Sequence, residues 1–124
     1  EVTRGRSRFD FLITGADGAE TLVEVKSVTL VQDGIARFPD APTVRGARHV
    51  RELTAIVRQG GRAAVLFVVQ RDDAGTVEPH IDTDPDFAAA LRQAAETGVA
   101  LTAVKYRLDE DGTANFRGTL PVRV

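Results

Sequence analysis

The run Ala63-Ala64-Val65-Leu66-Phe67-Val68-Val69 is wholly apolar, partly β-branched, and bounded by Gly60-Gly61 on one side and Gln70-Arg71 on the other. A run this short and this apolar fits a strand buried on both faces, at the centre of a sheet covered by helices. Helical patterns stand on both sides of it. Thr43 can cap a helix running to about Gln59, with Val44, Val50, Leu53 and Ile56 or Val57 as its apolar stripe and Gly60-Gly61 as its stop. Asp84-Pro85 opens a second helix, Asp84 as cap and Pro85 in the first turn. Its inner face is Phe87, Ala88, Leu91, Ala94 and Ala95, and Gly98 ends it. Val99–Leu108 reads as another strand, Asp109–Gly112 as a turn, and Ala114–Val124 as a final edge strand. Strands alternating with helices imply parallel neighbours joined by right-handed crossovers.

The first third reads differently, as a meander. A strand through Arg8–Thr14 is followed by the turn Ala16-Asp17-Gly18 and a strand over Glu20–Val31. Gln32-Asp33-Gly34 is a second turn signal, and Ile35–Phe38 a short third strand. Pro39-Asp40-Ala41-Pro42 then ends regular pairing, because neither proline can donate to a ladder. The order is β-β-β-α-β-α-β, and the expected class is α/β: a mixed β-sheet flanked by helices, in three layers or nearly so. A chain of 124 residues is enough for one domain with its own core.

The strand Glu20–Val31 carries the chemistry. Side chains two apart on a strand share a face, so Glu24 and Lys26 stand side by side. If the first two strands pair as a hairpin, Asp10 approaches them. Two carboxylates and a lysine around one point suit metal-dependent phosphodiester hydrolysis. The acids hold a hard cation such as Mg²⁺ or Mn²⁺, which polarises the phosphate and activates water. The lysine steadies the attacking water or the developing charge. Acid-x-Lys is also an ordinary pattern for a solvent-facing strand, so this spacing alone leaves both readings open.

Charge and composition set limits. The formal net charge is −2, which does not suit coating nucleic acid through bulk charge. The distribution is uneven: residues 1–62 hold ten Lys/Arg against eight acids, and residues 63–124 hold six against ten. The positive half is the half with the acid-acid-lysine cluster. Cysteine is absent, which excludes disulfides and thiolate metal sites and is compatible with a cytoplasmic protein. No long apolar run indicates a membrane span. The start at Glu1 without Met reads as a fragment of a longer protein.

Other cations supply binding candidates. Arg45 and His49 are four apart, hence on one face of the first helix, with Arg51 further along. A helix N-terminus with added arginine and histidine suits a phosphate. His49 has no histidine or cysteine partner that would make it a metal ligand. Arg4, Arg6 and Arg8 alternate along one strand edge and can track a backbone, and Gln70 leaves the central strand toward the region of Lys26.

The hairpin with Asp10 and Glu24-Val25-Lys26, followed by a helix and a central strand, resembles the restriction-endonuclease-like PD-(D/E)xK nuclease core. The resemblance maps Asp10 on the first acid, Glu24 on the second and Lys26 on the lysine. It implies catalytic roles for all three and a cation held by Asp10, Glu24 and the backbone carbonyl of Val25. That superfamily often has a further acid on a helix before the hairpin; only Glu1 stands upstream here.

A narrower resemblance covers essentially the whole chain. It runs through Ser7-Arg8-Phe9-Asp10-Phe11-Leu12, Val23-Glu24-Val25-Lys26-Ser27-Val28-Thr29-Leu30, Phe38-Pro39-Asp40-Ala41, Arg45-Gly46, His49-Val50-Arg51-Glu52-Leu53, Leu66–Arg71 and Asp84-Pro85-Asp86-Phe87. These motifs, in this order, resemble the sugar fermentation stimulation protein A (SfsA) family. The resemblance implies that residues 1–124 are a single nuclease-like domain, with the family's N-terminal OB-like domain absent from them. It implies DNA as partner, contacted by Arg8, Arg45, His49 and Gln70, and dimerisation of the kind many nucleases of this fold use to cut two strands. The expected function is a DNA-binding protein with divalent-metal-dependent hydrolysis of phosphodiester bonds. The alternative is a non-catalytic DNA-binding regulator of sugar (maltose) metabolism genes.

Overall fold

The structure is a computed structural model that describes residues 2–4 and 7–124; Glu1 and Arg6 lie outside the described residues, and of Arg4 and Ser7 only the backbone is described. The elements are β1 (Val2–Arg4), β2 (Ser7–Phe9), β3 (Phe11–Thr14), β4 (Glu20–Val28), β5 (Val31–Gln32), β6 (Ile35–Phe38), α1 (Val44–Arg58), β7 (Arg62–Val69), β8 (Thr76–Pro79), α2 (Pro85–Thr97), β9 (Ala100–Leu108) and β10 (Ala114–Leu120). Five of the strands form the main sheet in the order β10-β9-β7-β4-β3. Its centre is parallel, β4 to β7 and β7 to β9, and both edges are antiparallel hairpin partners. The helices join the parallel strands, as strand-helix-strand succession requires.

The local signals act where they stand. Thr43 caps α1 by accepting from the Gly46 N–H at 2.9 Å, and Gln59-Gly60 closes that helix with Gly60 at φ +90°. Asp84 caps α2 ahead of Pro85, and Gly98 ends it at φ +114°, a conformation that glycine adopts without the Cβ clash of other residues.

Three features depart from the sequence expectation. The strand expected over Arg8–Thr14 breaks at Asp10, so β2 leaves the main sheet and pairs with β1 instead. Ile35–Phe38 does not extend the main sheet. It sits between β5 and β8 in a separate three-stranded sheet, and β8 had no alternating apolar signal to mark it. Finally, β7 is fully buried on one face only. Ala63, Val65, Phe67 and Val69 lie in the core under α1, whereas Ala64, Leu66 and Val68 on the other face are half-buried. The two helices pack against each other, α1 also lying on β7. They therefore share one side of the sheet, and that is the side on which Glu24 and Lys26 stand, paired in register with Val65 and Phe67.

Among the described residues no helix is long and apolar enough to cross a membrane.

Candidate active site

The β3–β4 hairpin sets the first part of the site. Its last pair is Phe11 with Val23, so Asp10 stands one step beyond, level with Glu24. There the chain bends, and Asp10 Oδ2 accepts from the Val25 N–H at 2.8 Å. A side chain thus takes the place that main chain would occupy had β3 continued. The N–H and C=O of one strand residue face the same neighbour. The Val25 carbonyl therefore leaves β4 on the side of Asp10, past the end of the β3 ladder.

Glu24 and Lys26 project from the opposite edge of the pleat toward α1. Glu24 is 5% exposed. Its Oε1 accepts from Lys26 Nζ at 3.0 Å and from His49 Nδ1 at 3.1 Å. A carboxylate accepts and does not donate, so Nδ1 carries the proton in this arrangement. Glu24 Oε2 is buried without a hydrogen-bond partner. Buried polar atoms are nearly always paired, and a lone carboxylate oxygen marks a place for a cation or water.

The first turn of α1 forms the third wall. Thr43, Arg45, Gly46 and His49 join Arg8, Phe9, Asp10, Glu24 and Lys26 around a recess of about 280 Å³. A Cβ on Gly46 would come within 2.7 Å of Thr43 Cγ2 and 2.9 Å of Thr43 Oγ1, so a side chain at residue 46 requires the capping threonine to shift. Thr43 is itself held from outside the helix: its N–H donates to Asp84 Oδ2 at 2.8 Å. A larger recess of about 510 Å³ runs along α2 near Pro79, Ile81 and Val124, but its charged side chains, Arg92 and Glu96, are exposed and converge on nothing buried.

The expected site residues are thus partly assembled. Asp10, Glu24, Lys26, Arg8 and Arg45 converge on the recess, with Arg8 and Arg45 exposed at its rim, and Val25 is tied to it through its N–H bond to Asp10. His49 differs from its expected role as a nucleic-acid contact. It is 3% exposed, stacked at a tilt on Phe9 with centroids 5.9 Å apart, and its hydrogen bond is to Glu24. Gln70 stands outside the recess, three residues past Phe67, the register partner of Lys26, and lines a separate surface hollow with Arg71 and Arg107. Arg51 faces Asp86 of α2 in a two-pronged ion pair. Arg4 and Arg6, read with Arg8 as a track, lie outside the described side chains.

Asp10 and Glu24 bring two carboxylates to one recess, a donor chemistry that suits a hard cation. Among the described residues no group of three or more His, Cys, Asp and Glu side chains is arranged to hold a metal. Two carboxylates and a backbone carbonyl are what remain, and Mg²⁺ in particular binds through few protein oxygens and completes its shell with water and phosphate.

Comparison with known proteins converges on one family. Residues 1–112 match the family model described as the sugar fermentation stimulation protein RE domain. The sugar fermentation stimulation protein homolog of Desulforamulus reducens is 51% identical over 124 residues, covering 100% of this chain and 51% of the relative. Its counterpart in Moorella thermoacetica is 50% identical over 109 residues, covering 88% of this chain and 47% of the relative. The structure of Pyrococcus furiosus SfsA in complex with Ca²⁺ superposes with a TM-score of 0.93 at 37% identity, covering 97% of this chain and 52% of that one. The chain spans about half the length of the curated relatives it matches.

Proposed function

The chain belongs to the sugar fermentation stimulation protein family, and from that premise we propose that its recess is a divalent-cation-dependent site for hydrolysing phosphodiester bonds in DNA. The observation that carries the reading is the buried Oε2 of Glu24, without a hydrogen-bond partner among the described residues, in a recess that Asp10 also lines. Among the described residues Glu52 Oε2 is likewise buried without a hydrogen-bond partner, but Glu52 does not line the recess, whereas Glu24 does. The Pyrococcus furiosus SfsA structure holds Ca²⁺, which supports reading a hard cation into this site.

Asp10, Glu24 and the Val25 carbonyl would hold Mg²⁺ or Mn²⁺. The bound cation supplies Lewis-acid polarisation of a phosphate oxygen and lowers the pKa of a coordinated water. The rest is done by the chain. Lys26, fixed by Glu24 within the recess, places an ammonium where negative charge develops. Arg8 and Arg45 at the rim offer positive charge to the flanking phosphates. Phe9 and the first turn of α1 exclude water from the inner wall. Scission of both strands by one such site per chain calls for two copies on a duplex, which sedimentation in the presence of DNA tests.

Cleavage of labelled duplex, single-stranded and branched DNA with Mn²⁺, Mg²⁺ or EDTA tests the reaction, with Lys26→Ala alongside. Turnover that needs metal and falls roughly 10²–10³-fold or more in the variant is the expected result. Metal-indifferent, salt-sensitive binding with no cleavage by either protein replaces it with the regulator reading.

A further inference from the structure

We propose that His49 is a positioning residue that selects which oxygen of Glu24 is presented to the cation, and that it frees Lys26 for the substrate. The inference rests on the cation reading above. Glu24 Oε1 is claimed twice, from two different elements: by Lys26 of its own strand and by His49 of α1, at 3.0 and 3.1 Å. Among the described residues Oε2 is claimed by none, yet it is buried. The asymmetry has a mechanical cause. Lys26 ends a long, rotatable side chain on the same strand, and by itself it can follow either oxygen as the carboxylate turns. His49 cannot follow. Its side chain is 4% exposed and lies against Phe9, which is fully buried, on a helix whose start is tied to α2 through Thr43 and Asp84. A fixed donor on one side of a carboxylate fixes the other side.

A second consequence concerns the lysine. An ammonium has three N–H donors, so Lys26 can serve a phosphate while bonded to Glu24, but a phosphate competes for it and can turn it from Oε1. Without His49 that turn strips Oε1 of its donor while the residue stays buried. With His49 in place Oε1 keeps a donor throughout, and the carboxylate does not rotate when the lysine is diverted. His49 touches neither cation nor substrate; it acts through Glu24.

The geometry makes a test that a merely space-filling role would fail. Asparagine places an amide N–H near the position of imidazole Nδ1, whereas glutamine reaches the position of Nε2. Titration of Ca²⁺ alone into wild type, His49→Ala, His49→Asn, His49→Gln and Glu24→Gln by calorimetry, with urea denaturation in EDTA as a folding check, reads the effect without any turnover. The expected result is a roughly 10–100-fold loss of Ca²⁺ affinity in His49→Ala, the range found when a hydrogen-bond partner of a metal ligand is removed. His49→Asn recovers most of that loss and His49→Gln does not, although both retain a polar side chain in the same space. If His49→Ala fails to fold, the asparagine–glutamine pair alone decides: equal affinities in the two overturn the proposal. Wild-type affinity in His49→Ala also overturns it while leaving the cation site standing. A wild type that takes up no Ca²⁺, or a Glu24→Gln variant that binds as well as wild type, instead sinks the cation reading and this inference with it.

Discussion

Two buried carboxylates stand on either side of the start of α1, and they are treated in opposite ways. Asp84 is 6% exposed and spends both oxygens on main chain: Oδ1 accepts from Phe87 N–H, capping α2, and Oδ2 accepts from Thr43 N–H at the head of α1. Glu24 is 5% exposed and spends one oxygen twice and the other not at all. The first is a brace, closed and complete. The second keeps one buried oxygen without a hydrogen-bond partner, in a residue that lines the recess. The difference separates a polar residue that holds the fold from one that the fold holds for something else. It also explains why the brace sits where it does: Asp84 fixes Thr43, Thr43 fixes the first turn of α1, and that turn is a wall of the site and the carrier of His49.

The comparison is sharpest in activity. Glu24→Gln keeps the shape of the side chain and removes a charge from the proposed cation site, and metal-dependent DNA cleavage should fall by at least roughly 10²–10³-fold. Asp84→Asn keeps one acceptor and stands outside the recess, so its cleavage rate, measured well below its melting temperature, should stay near wild type. Equal losses in the two would erase the distinction drawn here.

Stability should reverse the order. Asp84→Ala removes an N-cap and leaves Thr43 N–H, itself partly buried, without its acceptor. An N-cap is worth about 1 kcal/mol and an unsatisfied buried group about 1–3, so a loss of about 2–4 kcal/mol is expected in urea denaturation. Glu24→Gln should cost less, because Lys26 is 14% exposed and can turn to solvent when its partner loses charge. A Glu24 variant that unfolds as readily as the Asp84 variant would make both residues braces.

Much of this contrast is legible in the sequence, and the rest is not for physical reasons. The helix ends were written locally, in Thr43, Gly60, Asp84-Pro85 and Gly98, because capping is satisfied within one turn of chain. Glu24 and Lys26 shared a face by the pleat alone, and hairpin register then brought Asp10 level with them. What escaped was set by partners distant in sequence. The hydrogen bond from His49 to Glu24 spans 25 residues, and helical spacing grouped His49 with Arg45 without saying that one would be buried and the other exposed. β8 ends in proline and acquires its strand character from β6 on one side and from residues 121–123 on the other, both distant in sequence. The bend at Asp10 depends on the Val25 N–H across the hairpin. Gln70 follows an apolar strand whose exit lies three residues past the level of Lys26, a distance that only the β4–β7 register reveals.

A finer cut at the wall of the site uses Gly46. Alanine is the better helix former by about 1 kcal/mol, but a Cβ here meets Thr43 Cγ2 at 2.7 Å and Oγ1 at 2.9 Å, and relieving that contact turns away the hydroxyl that caps the helix. A lost threonine cap costs about 1–2 kcal/mol, so Gly46→Ala should be destabilising by at most about 1 kcal/mol net. Thr43→Ala makes the check. If the clash is the cause, Gly46→Ala in a Thr43→Ala background should be neutral or stabilising, measured as a double-mutant cycle in urea.

The smallest effect should come from the third tie between the helices, and its sign is fixed by pH. Arg51 of α1 and Asp86 of α2 form a two-pronged pair at the surface, with Arg51 Nη1 3.2 Å from Asp86 Oδ2. The hydrogen bond from Arg51 holds the Asp86 carboxyl below its ordinary value near 3.8, and the same pair holds the guanidinium above its own. A carboxyl depressed in the folded state stabilises fully above its unfolded value, and that contribution is lost as pH falls through the folded one. Stability of the wild type should therefore decline in acid more steeply than that of Asp86→Asn, with the two curves parallel near neutrality. Asp111, held down by the Thr113 hydrogen bonds, titrates in the same direction in both proteins and cancels in the difference. Because both partners are exposed, the gap should shrink in 1 M salt, whereas the loss in Asp84→Ala should persist there. A gap as large as that of Asp84→Ala and indifferent to salt would mean that the surface pair, rather than the buried brace, sets the angle between the helices.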